Sequence, residues 1–89
     1  MADTRHNGYK NYETWNVALW INNDEGSLGH HQAMIADLND YGASKAIEES
    51  IRYDNPLADD ASMFSDILSA SLSEVDWLEV VEAIRPDEN

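Results

Sequence analysis

The sequence predicts an all-α fold, a compact single-domain bundle of four to five short helices. Apolar residues recur at i, i+3, i+4 and i+7 spacing in successive segments, the signature of helices with one buried stripe. Helix-starting and helix-stopping residues punctuate those segments, among them Asn11, Ser27, Gly42, Pro56, Asp76 and Pro86. No run alternates apolar and polar residues as a half-buried strand pair would.

The first helix is the expected centre of the domain. Asn11 is a suitable N-cap, Glu13 suits the positive helix end, and the helix runs to about Asn22. At about 100° per residue, Tyr12, Trp15, Ala18 and Leu19 share one face. Val17 and Ile21 lie on the other side, and Trp20 falls on the flank between Glu13 and Asn16. A helix apolar on more than one side packs against several neighbours or keeps one side for a partner. Packing is the first reading of both Trp15 and Trp20, and a partner anchor is the alternative for Trp20. The turn formers Asn22-Asn23-Asp24-Glu25-Gly26 end this helix.

Ser27 is the expected cap of a second helix with Leu28, His31, Ile35 and Leu38 as its stripe, closed by Gly42 after Tyr41. A third, the shortest, is capped by Ser44, carries Ile47 and Ile51 on one face with Glu48 and Glu49 on others, and stops at Asn55-Pro56. Residues 57–60 form a linker. The fourth runs from about 60 to 72 with Phe64, Ile67, Leu68 and Leu72 as its apolar face. The fifth, 76–85, has the best start signal. Asp76-x-x-Glu79 has capping-box spacing, and Val75 with Val80 has that of a hydrophobic staple. Trp77, Val80, Val81 and Ile84 are its stripe, and Pro86 stops it. The expected core is Trp15, Leu19, Ile35, Leu38, Phe64, Leu68, Trp77 and Val81. Residues 1–10 are expected to be a loose tail, 11–86 the helical domain and 87–89 a second tail.

Eighteen acidic against five basic side chains give a formal net charge of −13. Such a surface repels phosphate backbones and anionic membranes and is drawn to basic protein surfaces. Plain solubility and adaptation to a high-salt cytoplasm account for the same charge. The chain has no cysteine, hence no disulfide and no thiolate metal site. With no signal-peptide core and no apolar run long enough to span a bilayer, the expected location is the cytoplasm.

No reaction is legible. There is no nucleophile elbow, no phosphate-cradling glycine loop and no zinc spacing. His30 and His31 are adjacent, so on a helix they point about 100° apart and cannot chelate one ion alone. No enzyme, metal or cofactor is therefore expected. A small metal-binding or hydrolytic domain using His30, His31 and nearby carboxylates is the alternative of another class.

Two segments carry a resemblance. Residues Tyr12-Glu13-Thr14-Trp15-Asn16-Val17-Ala18-Leu19-Trp20-Ile21, followed by Asn23-Asp24-Glu25-Gly26, form the first. Phe64-Ser65-Asp66-Ile67-Leu68, leading to Leu72-Ser73-Glu74-Val75-Asp76-Trp77, form the second. Together they resemble a family of short proteins of unknown function encoded by phages, plasmids and some bacterial and archaeal genomes. The resemblance implies a mobile-element context and no defined activity. By analogy with small acidic phage proteins, the expected role is a non-enzymatic inhibitor of a host nucleic-acid-binding or defence protein, acting by mimicking nucleic-acid charge. A scaffold binding through an apolar, Trp-containing surface is the alternative. The expected partner has a basic surface, and the expected contact residues are Glu13, Trp20, Glu48, Glu49, Glu79 and Glu82. Both motifs join a tryptophan to a helix start. The simplest account sets Trp15 and Trp77 near a shared junction; the other makes Trp20 and Trp77 one surface anchor.

Overall fold

The computed structural model describes residues 5–57 and 59–86. They form α1 (Tyr12–Asn23), α2 (Glu25–Ile35), α3 (Asp40–Tyr53), α4 (Met63–Ser73) and α5 (Trp77–Ile84). The all-α expectation holds: among the described residues the only β pairing is an isolated bridge between His6 and Tyr9. Residues 1–4 and 87–89 of the two expected tails lie outside the described residues.

Each helix starts on a side-chain oxygen that accepts a first-turn N–H, filling one of the orphan donors every helix start leaves. The caps are Asn11, Asp24, Asn39, Ser62 and Asp76. Asn11 and Asp76 are the expected ones. Ser27 and Ser44 are not caps: both lie inside their helices, because Asp24 and Asn39 have already begun the first turn. Gly26 and Gly42 correspondingly sit in first turns rather than ending helices. A Cβ on either would come 3.3 Å from the capping oxygen. Beginning at Asp40 makes α3 the longest element at 14 residues, where the sequence suggested the shortest.

The hub is α5, not α1. This helix of 8 residues packs against α1, α2 and α3 and buries Val80, Val81 and Ile84. Those side chains meet Ile21, Ile35, Ala43, Ile47 and Val75 in one cluster, with Val17, Leu28, Met34, Ile51 and Trp77 around it. Val75 and Val80, the staple pair, both lie in that cluster. At the far end the C-terminal ends of α2 and α5 are tied together by side chains bonding carbonyls of the opposite segment. Gln32 Nε2 donates to the Ile84 carbonyl at 2.8 Å. Arg85 donates to the Ile35 and Leu38 carbonyls at 3.5 and 3.3 Å and pairs with Asp40 at 3.2 Å.

The expected core needs correcting at six of its eight positions, among them Leu68 and Trp77, which are only half-buried. Leu38 is 39 % exposed because α2 ends at Ile35 and the stripe stops with it. Phe64 and Ile67 are 65 % and 57 % exposed, because α4 packs closely along no other helix; Leu72 is its one buried residue and Leu68 is half-buried. Trp20 is 70 % exposed, which makes it a surface residue. The buried face of α1 is Thr14, Ala18 and Ile21; Trp15 and Leu19 flank it half-buried, and Tyr12 is exposed. Ile35 and Val81 are fully buried, as expected.

Candidate interaction surface

The starts of α1 and α5 are tied together by hydrogen bonds. Asn11 Oδ1 accepts from the Thr14 N–H at 2.9 Å and from the Thr14 hydroxyl at 2.6 Å. The fully buried Thr14 Oγ1 accepts the Asp76 N–H at 2.9 Å, and Asn11 Nδ2 donates to the Glu74 carbonyl at 2.7 Å. The first turn of α1 therefore satisfies backbone groups of the segment that leads into α5. Thr14 is the structural residue that apolar periodicity misses, because its role lies in its hydroxyl.

The segment before α1 joins the same junction. Asn7 and Gly8 have φ of 49° and 89°, the two positive values of a tight hairpin turn, which Asn-Gly favours. His6 and Tyr9 exchange backbone bonds of 2.8 Å across it. His6 then lies 4.5 Å from the Trp15 ring and 5.3 Å from that of Tyr12. The Lys10 N–H donates to Glu79 Oε1 at 2.7 Å, and Arg5 pairs with the same carboxylate at 3.6 Å. Residues 5–10 of the expected loose tail thus carry a turn and contacts to α1 and α5. The legible signal for this was the Asn7-Gly8 pair.

The turn where α1 hands over to α2 has a different character. Val17, Trp20 and Ile21 of α1 with Ile51 of α3 floor an open groove of about 710 Å³. Asp24 and Glu25 stand on its rim. A second cleft, between α1 and α4, is lined by Glu13, Asn16 and Val17 on one side and Leu68, Ser71 and Leu72 on the other. Asn16 and Val17 line both, so the two adjoin across α1.

The six sequence-derived site residues do not come together in one place. Glu13 and Trp20, seven residues apart, lie on the side of α1 that lines these clefts, in line with the helical repeat. Glu48 is held by Arg52 at 3.0 Å and lines a third cleft with Tyr41, Trp77 and Leu78. Trp77 and Trp20 therefore line different clefts. Glu79 is engaged by the N-terminal segment, whereas Glu49 and Glu82 are exposed.

A family model described as a family of unknown function (DUF7249) matches residues 2–80. The chain belongs to that family. Membership in DUF7249 covers α1 to α4 and the first turn of α5, and carries no activity with it. No curated protein and no solved structure matches the chain.

The histidine pair does not assemble a site among the described residues, where no group of three or more His, Cys, Asp or Glu side chains is placed to hold a metal ion. The two rings meet edge to face at 5.1 Å. His31 is buried, and its Nδ1 lies 2.7 Å from the Ser27 carbonyl. A carbonyl only accepts, so Nδ1 carries a proton, and the buried Nε2 has no hydrogen-bond partner among the described residues. A buried unpaired polar atom costs about 1–3 kcal/mol. His31→Leu, close in volume and without polar atoms, should therefore leave stability unchanged or raise it by up to about 1 kcal/mol. Thermal melts of the two proteins decide this; a loss above ~2 kcal/mol would mean that Nε2 too is partnered in the folded state, or that the Ser27 bond matters more than an ordinary hydrogen bond does.

Proposed function

We propose that this DUF7249 chain is a non-enzymatic interaction protein that docks on a basic protein surface through the Trp20 side of α1. One observation carries the reading: a tryptophan 70 % exposed beside an apolar groove, rimmed by Asp24 and Glu25, on a chain of formal charge −13. Aromatic side chains of this kind dominate binding energy at protein interfaces, while the surrounding charge sets partner choice and encounter rate. Glu13 shares that side, and the exposed Glu49 and Glu82 add to the long-range field. The specific form of the proposal is an inhibitor encoded by a mobile element and acting in the host cytoplasm. It occupies the basic groove of a nucleic-acid-binding or defence protein in place of nucleic acid. No helix among the described residues is long and apolar enough to cross a membrane.

Capture from host lysate tests it. At ~0.1–0.15 M salt the Debye length is still about 8–10 Å, and a nucleic-acid-binding protein should be enriched. DNA or RNA should displace it. Reversing exposed carboxylates, as in Glu25→Lys with Glu82→Lys, should weaken capture. Glu79→Lys is a poorer probe, because that carboxylate also holds the Lys10 N–H. Equal retention at ~1 M salt, or no competition by nucleic acid, would contradict the charge-mimic form and favour a scaffold binding through Trp20 and its apolar neighbours.

A further inference from the structure

We infer that the groove beside Trp20 receives a cationic amphipathic helix of the partner, laid against α1 with its apolar face down. This rests on the binding mode proposed above and adds the element that is bound. The floor of Val17, Trp20, Ile21 and Ile51 is apolar and comes from two helices, as helix-receiving grooves do. The described residues hold no sheet whose edge a partner strand could extend, so recognition by strand addition has nothing to build on. A receiving groove must also continue over several turns, and this one does. It adjoins the α1–α4 cleft through Asn16 and Val17, and the Leu68 stripe of α4 carries on to Ile67, Phe64 and Met63, all exposed.

Charge selects the occupant. Glu13, Asp24 and Glu25 border the clefts, and Asp66 is exposed on α4 among the apolar residues. Lysines or arginines on the flanks of an incoming helix would meet these carboxylates while its apolar side chains cover Trp20. A second copy of this chain would bring a further formal charge of −13 to the same acidic rim, so like-charge repulsion opposes self-association there.

Two synthetic peptides of identical leucine and lysine content test the inference, each ~18 residues or about five helical turns long. One has leucines at i, i+3, i+4 and i+7 spacing; the other is shuffled so that no face forms. Calorimetric titration into the full chain at ~0.15 M salt should show the patterned peptide binding at least ~10-fold more tightly. Trp20→Ala should lose at least ~10-fold in that affinity, with an unchanged melting temperature. Phe64→Ser, on the α4 continuation, should lose a smaller factor. Equal affinity of the two peptides, indifferent to Trp20→Ala, overturns the inference: the surface would then read charge alone, and docking on a basic protein would still stand. A dimer in sedimentation that Trp20→Ala dissociates also overturns it, because the groove would belong to a second copy. If instead the patterned peptide binds as expected but no basic protein is captured from lysate, the helix groove holds and the wider functional proposal fails.

Discussion

Ile47→Ala will remove about 2–5 kcal/mol of folding free energy, a large share of the roughly 5–15 kcal/mol that holds a domain of ordinary stability together. Ile47 is fully buried in the cluster that α3 and α5 share with Ile21 of α1 and Ile35 of α2, where a lost side chain leaves a cavity its neighbours cannot readily fill. Phe64 is the informative contrast. By periodicity it belongs to a core stripe, yet it is 65 % exposed, so Phe64→Ala should change stability by less than ~0.5 kcal/mol. Urea unfolding of the two variants checks both. A large loss on Phe64→Ala with a small one on Ile47→Ala would mean that α4 is packed against the bundle and α3 is not.

Thr14→Val tests the junction between the two helix starts. Valine keeps the shape and removes the hydroxyl, so the Asp76 N–H loses its acceptor and Asn11 Oδ1 loses one of its two donors. Leaving such a donor unpaired in a packed site costs about 1–3 kcal/mol. Thr14→Ser keeps both bonds and gives up only a methyl group, so it should recover most of the loss. Chemical unfolding of the pair separates hydrogen bonding from packing. If serine is as damaging as valine, the methyl group matters and the hydroxyl link between α1 and α5 does not.

Local chemistry in this chain was legible where one residue answers one requirement. Asn11 and Asp76 cap their helices, because each signal is complete within a few residues. The return half of the expected capping box is not formed: the Asp76 N–H goes to Thr14 and the Glu79 carboxylate to Lys10. Gly26 and Gly42 misled for a physical reason. A glycine between two helical stretches suits the end of one as well as the first turn of the next, and only the side chains of Asp24 and Asn39 decide which. The apolar stripe of α4 and the doubly apolar α1 show which residues gain from burial. Periodicity does not show whether this chain or another covers them. Trp20 and Phe64 are therefore the positions where sequence reasoning stops, and they are also where the proposed contacts begin. The acids divide. The Glu48 pair with Arg52 is an i,i+4 contact legible in the sequence. Glu79, by contrast, is engaged and Glu82 exposed because the fold brings Arg5 and Lys10 to one and not to the other.

Capture of a basic host protein by Trp20→Ala, run beside the unsubstituted chain at ~0.15 M salt, tests the central claim most directly. Trp20 is 70 % exposed, so its replacement should leave the melting temperature within a degree or two, on the order expected of a surface change. Captured protein should fall at least ~10-fold, as for an anchor residue at the centre of an interface. Undiminished capture by a folded Trp20→Ala protein would contradict the account, and would move the contact away from this side of α1.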